Sequence, residues 1–564
     1  MHCFDFINKP IQLQFMNTHK FLLIFISSFL TFITSVFADH YPVDKRIDIK
    51  NYQFSITLSD KSNEIDVTAL VTVLFKHPGV KQFRLDLTNK TFDADGKGML
   101  VDSITALDKI ISYTHINNAL LINLHQPSIA NDQVTFKIKY HGEPADGLHI
   151  GPTKYGDRSF FSDNWPNKAR NWLPVIDHPY DKATCEFIIK APLHYKVVAN
   201  GLLTEESIID DSTRLTDWKQ SVPIAPWLYT VGVANFAVQY VDRFDNKSIE
   251  SWVYSKDRVA GFYDFAFPTK EVLTFFSDYI GPYVYEKLAN IESPVVSGGM
   301  EAASAIGYSD KLITGDRSER TRNVIIHELA HQWFGNSITE NTWDDAWLSE
   351  GFATCFTMMF IEHQYGRAAF LSEWEKAKQS FYKYYAKDST YSIVANRTAE
   401  EGPVTNSVTY QKGACILLML RDLMGEAAFK KGIQSYYKKY MNSNASTSDF
   451  QLEMEKASKQ NLTTFFNQWL HRGGLIKLHA GWKYNPRKKQ LIVTINQLQK
   501  QDELYNFPLD IAVNIPGSNT PVHKKVHIKN QTETVVFSIV KKPATVELDP
   551  RKVLLSTIQL TETE

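Results

Sequence analysis

The chain has 564 residues, with 61 Lys plus Arg against 62 Asp plus Glu, 43% hydrophobic and 13% aromatic. That length exceeds one hydrophobic core and points to two to four domains of ordinary soluble composition. The charge balance, with no long basic run, excludes a nucleic-acid binder that works through a concentrated positive surface.

The first element is a leader. Lys20 precedes a charge-free stretch from Phe21 to Ala38, rich in Phe, Leu and Ile, and Ser35-Val36-Phe37-Ala38 offers small residues for a cut. This is the layout of a secretory signal peptide over 1–38, and implies a secreted or periplasmic protein. Met16 would serve as an alternative start. An uncleaved leader would instead anchor the chain, although the apolar run is at the short limit for crossing a bilayer. Cys3 belongs to the leader. Cys185, Cys355 and Cys415 are far apart, with no Cys-x-x-Cys pair, and read as small buried apolar residues rather than a disulfide framework or a thiolate metal site.

Three textures follow. From about His40 to Val241 the chain reads as strands, for example Phe54–Leu58, Val67–Phe75 and Val134–Tyr140, separated by Asp, Asn, Gly and Pro. From about Ala260 to Leu470 apolar residues recur at three-to-four spacing, as in Val324–Phe334, Trp347–Ile361 and Ala414–Met424. Strand texture returns at about Ile476, in Leu491–Asn496, Leu509–Ile515 and Thr534–Val540. The expected fold class is multi-domain α+β. It comprises an N-terminal β-sheet domain (39–245), a mostly helical catalytic domain (246–472) and a small C-terminal β-sandwich (473–564).

The chemistry centres on His327-Glu328-Leu329-Ala330-His331. Residues four apart on a helix lie about 40° apart around its axis, one turn up, so both imidazoles face one point. Zinc takes neutral imidazole nitrogens in a four-coordinate site. The neighbours Val324, Ile325, Ile326, Leu329, Ala330, Trp333 and Phe334 leave this helix almost no solvent face, so unpaired polar groups here would be costly. A catalytic site needs a third ligand and one open position. Glu350 supplies the ligand: 18 residues separate it from His331, enough for a turn and a return. Glu328, beside the metal without binding it, is then the general base. It takes a proton from the zinc-bound water and delivers it to the leaving amine.

With these residues in place, the chain resembles the M1 (gluzincin) zinc aminopeptidases. The match extends through His331-Gln332-Trp333-Phe334-Gly335-Asn336 and Trp343 to Gly351. It includes Gly298-Gly299-Met300-Glu301-Ala302, similar to the family's Gly-x-Met-Glu-Asn, and Tyr410-Gln411-Lys412-Gly413, similar to its Tyr-x-Lys-Gly. Ala169 to Asp177 and Asp181-Lys182-Ala183-Thr184 resemble a landmark of the first domain. The resemblance implies a thermolysin-like catalytic domain with one zinc, held by His327, His331 and Glu350. It implies peptide substrates with a free N-terminus, whose ammonium binds Glu301 and whose backbone pairs with Gly298, Gly299 and Met300 as an added strand. It also implies that the Tyr410 hydroxyl steadies the developing oxyanion. Two departures stand out. Ala302 replaces the family's Asn, and no Gln or Glu from the first domain is found for a second amine contact, for which Asp163 is the substitute. An inactive scaffold would have lost ligands or base, and all are present here. Retained Glu301 also argues against an endopeptidase.

Overall fold

The computed structural model describes residues 39–90, 95–394, 404–500 and 503–563. The leader expected over 1–38, with Met16 and Cys3, lies outside them. Among the described residues no helix is long and apolar enough to cross a membrane.

The expected three-part architecture is present. The first part is built on an eight-stranded sheet in which Ile47–Thr57 and Ile65–Phe75 are central. Their side chains alternate between buried and partly exposed, as a sheet with one face in the core requires. Ile47–Thr57 runs antiparallel to Ile65–Phe75 and parallel to Ala183–Pro192. A second, four-stranded sheet carries Arg158–Ser162 between Leu148–Pro152 and Val231–Ala234. Phe54 and Phe187 pack edge-on or tilted against Tyr229 and each other, with ring centroids 5.5–6.4 Å apart.

The middle part is helical with an embedded five-stranded mixed sheet: Phe236–Phe244, Lys247–Tyr254, Leu288–Ser293, Ala305–Ser309 and, outermost, Gly299–Met300. The strand Leu288–Ser293 is buried at every position and parallel to both neighbours. Such strands show no alternation, which is why this stretch lies unmarked within a helical texture. The helices Glu319–His331, Trp347–Tyr385 and Gly413–Met424 carry the three apolar periodicities. Trp347–Tyr385 is broken at Gly366, whose φ of 83° leaves the helical region.

The last part has two sheets. One orders Thr532–Ser538, Gln490–Gln497, Ile476–Asn485 and Ser556–Glu562; the other orders Val522–Ile528, Phe507–Asn514 and Thr545–Leu548. Cys185, Cys355 and Cys415 are buried free thiols, as their spacing predicts.

Candidate metal centre

The helix Glu319–His331 begins at Ser318, whose hydroxyl accepts the Thr321 N–H at 3.2 Å, a standard N-cap. It delivers His327, Glu328 and His331 to the middle of the fold. The chain then turns at Gly335 (φ 110°), where a Cβ would lie 2.3 Å from the Ser349 hydroxyl and 3.2 Å from His331 Nδ1. After that turn the helix starting at Trp347 runs back past the first. Glu350 sits in its opening turn and faces the imidazoles.

Three donor atoms converge. His327 Nε2 and His331 Nε2 are 3.1 Å apart, and Glu350 Oε2 is 3.3 Å from the first and 3.2 Å from the second. Ligands about 2.0 Å from a tetrahedral zinc are separated by about 3.3 Å, so the triangle already has the edge lengths that ion demands. His331 Nδ1 donates to the Phe334 carbonyl at 3.1 Å, which fixes the tautomer with a bare Nε2 aimed at the site. Charge fits as well. Glu301, Glu328 and Glu350 crowd two imidazoles in a buried volume. Burial, then the neighbouring carboxylates, push Glu328 up from the usual carboxylate range. Burial also pushes Glu350 up, but the imidazoles outweigh it and hold its carboxyl down to about 2. A divalent cation would offset much of the charge of these carboxylates. The site is thus able to hold a metal ion, and its mixed nitrogen and oxygen donors suit zinc.

Glu328 is buried against the outer strand Gly299–Met300. A Cβ at Gly299 would meet the Glu328 side chain at 2.2–2.3 Å, whereas one at Gly298 would meet nothing within 4 Å. Gly299 therefore makes room for the Glu328 side chain, and Gly298 lies open. Among the described residues Gly299–Met300 pairs only with Ala305–Ser309 in its sheet, so its other edge has no strand partner there.

Glu301 is buried, and its Oε1 has no hydrogen-bond partner among the described residues. It lies 3.9 Å from His331 Nδ1. Its backbone carbonyl accepts from Gln332 Nε2 at 3.0 Å and Asn336 Nδ2 at 2.6 Å. Gln332 Oε1 in turn accepts the Ser304 N–H at 3.0 Å. Gln332 and Asn336 thus tie the Glu301 segment to the motif helix. Sequence reasoning gave them no role, although both lie within the extended signature just after His331. Ala302 is buried, 1% exposed. Asp163 comes from the N-terminal part, its N–H bonded to Gly147 O at 2.8 Å. Burial pushes its carboxyl up from the usual carboxylate range.

Tyr410 lies on the π-helical turn Val408–Lys412 and donates to Glu350 Oε1 at 2.5 Å. Its position follows from two glycines. Gly351 and Gly413 meet face to face: a Cβ on either would come 2.9–3.0 Å from the other's Cα. That contact brings the Tyr410 turn onto the first turn of the Glu350 helix. His327, His331, Glu350, Glu328, Glu301 and Tyr410 thus come together in the structure.

Comparison with known proteins agrees. The Peptidase M1 N-terminal domain model matches residues 39–228 and the Peptidase family M1 domain model matches 266–469. Glutamyl aminopeptidase of Rattus norvegicus is 30% identical over 351 residues, covering 59% of this chain and 36% of the relative. The Sus scrofa glutamyl aminopeptidase is 29% identical over 392 residues, covering 66% and 41%. The chain thus spans well under half the length of these curated relatives. An M1 zinc metallopeptidase from Deinococcus radiodurans, a mutant solved with a bound Tyr-Ser-Ala substrate, shares the fold. Its TM-score is 0.64 at 22% identity, covering 76% of this chain and 94% of that one. With both of the family's domain models matched in chain order, and the donor triangle within the second, this chain belongs to the M1 peptidase family.

Proposed function

We propose that the chain is a zinc-dependent aminopeptidase that releases residues singly from peptide N-termini, with Glu328 as general base. The observation that carries this is the donor triangle of His327, His331 and Glu350 beside a buried carboxylate, Glu301, whose Oε1 has no hydrogen-bond partner among the described residues. Bound zinc supplies Lewis acidity, which makes hydroxide available near neutral pH.

The chain's own groups do the rest. Glu301, with Asp163 nearby, holds the substrate ammonium and so fixes the cut one residue in. Gly298, Gly299 and Met300 present a strand edge to the peptide backbone. Glu328, pressed on Gly299, accepts the proton of the attacking water and passes it to the leaving nitrogen. The Tyr410 hydroxyl exchanges its Glu350 acceptor for the substrate oxygen as that oxygen gains charge.

The domain division we favour is 39–245, 246–472 and 473–564, with the strand Phe236–Phe244 at the end of the first joining the sheet of the second, preceded by a leader cut after Ala38. The small-residue site and the start of the M1 N-terminal match at residue 39 support that cut. The product would be secreted or periplasmic, whereas an uncleaved leader would anchor it. N-terminal sequencing of the natural product separates the two.

A panel of aminoacyl-aminomethylcoumarins, with zinc added or chelated, tests the activity. It includes an acidic first residue because named relatives are glutamyl aminopeptidases. No turnover of any member with zinc bound would refute the reading.

A further inference from the structure

The distance between His331 and Glu350 is set by the connection 332–349, and the N-terminal β domain grips that connection at two points. The first grip is Asp39. Its side chain is 6% exposed, its Oδ2 is 2.7 Å from His178 Nε2, and the same oxygen accepts the Trp343 N–H at 3.0 Å. Oδ1 accepts the Tyr41 N–H at 3.0 Å. Trp343 opens the short turn Trp343–Asp345 that leads into the Glu350 helix. Its ring is also held edge-on by Trp165, with centroids 4.9 Å apart.

The second grip is Lys182. Its ammonium donates to the carbonyls of Asn336 at 2.9 Å and Ser337 at 2.8 Å, and to Ser443 at 3.2 Å. Asn336 and Ser337 follow the Gly335 turn that backs onto His331. One anion therefore holds the end of the connection nearer Glu350, and one cation holds the end nearer His331. Both come from outside the catalytic part. Ordering this many linker residues costs conformational entropy, so anchors that hold them before metal arrives raise the affinity of the site.

We propose that Asp39 and Lys182 are positioning residues for the metal centre, so that the N-terminal β domain sets how tightly the ion is held. The inference rests on the metal-site reading above. It gives the residue left first by a cut after Ala38 a task in the mature enzyme.

The test uses the full chain and zinc alone, titrated against a fluorescent chelator, with KM for an aminoacyl-aminomethylcoumarin at saturating zinc as the second readout. The expected result is that D39A and K182M each raise the zinc Kd about tenfold while KM stays at the parent value. D39N keeps an acceptor for the Trp343 N–H and is expected to stay within about twofold of the parent. The inference is overturned if the parent binds zinc and both D39A and K182M match it, or if D39N loses as much affinity as D39A. Should D39A not fold, K182M decides alone by the same criterion. A parent that binds no zinc defeats the metal-site reading itself, a different outcome from either.

Discussion

The α-carbon of Gly299 is the wall against which the Glu328 side chain rests. A single methyl there would occupy space within 2.3 Å of the Cγ, Cδ and Oε1 atoms of Glu328. Because Cγ is near the root of the side chain, the clash cannot be relieved at its tip. G299A is expected to turn the carboxylate away from the attacking water and lower kcat by about 10²-fold, with zinc content unchanged. Metal analysis beside steady-state kinetics checks this, and a parent-like kcat would separate Gly299 from the base.

Glu328→Gln keeps the volume and removes the proton acceptor. Turnover should fall by about 10² to 10⁴, with the zinc Kd of the parent retained. Substantial residual activity would remove Glu328 as the base.

Tyr410→Phe deletes one hydroxyl and nothing of the ring. The expected loss is about 10² to 10³ in kcat with little change in KM, the signature of a group used at the transition state. Its kcat loss is the yardstick for a test of Gly351 and Gly413. If their contact places the hydroxyl, G413A should show a similar kcat loss together with reduced thermal stability, since the clash there is between backbones.

Glu301→Ala should raise KM for peptides with a free N-terminus. N-acetylated peptides should be poor substrates of the parent, and equal cleavage of free and acetylated peptides would mean that Glu301 anchors nothing.

Much of this site was legible because its chemistry is local in sequence. His327, Glu328 and His331 share one helix face, and Glu350 lies one return helix away. Glu301 and Tyr410 came from the resemblance, since no periodicity singles out one tyrosine among 26. What was not legible depends on contacts between distant segments. Gly351 against Gly413, Gln332 and Asn336 on the Glu301 carbonyl, and Lys182 on the loop after Gly335 leave no pattern in a single chain. The same holds for the fold. Alternating strands such as Ile65–Phe75 are read easily, whereas Leu288–Ser293, buried on both faces, has no period to read.

The acid limb of stability has a definable contributor. Burial alone would push the Asp39 carboxyl up. The hydrogen bond and charge of His178, with the N–H groups of Tyr41 and Trp343, outweigh it and hold the group down to about 2, against 3.8 when unfolded. A depressed carboxyl stabilises the fold above its unfolded value and loses that contribution as pH falls through the folded one. The stability difference between parent and D39N should therefore shrink between pH 3.8 and about 2. Urea unfolding of both across that window measures it, and a constant gap would mean that Asp39 is not the titrating group.

The Gly351 and Gly413 contact has a wider consequence. Because two backbones touch with no side chain between them, the Glu350 carboxylate and the Tyr410 hydroxyl, the proposed third ligand and oxyanion donor, are expected to move as one piece. Any disturbance that loosens the helix after Lys412 should reach the metal and the hydroxyl together. A drifting ligand would then be accompanied by a drifting hydroxyl, and the catalyst would fail as a unit.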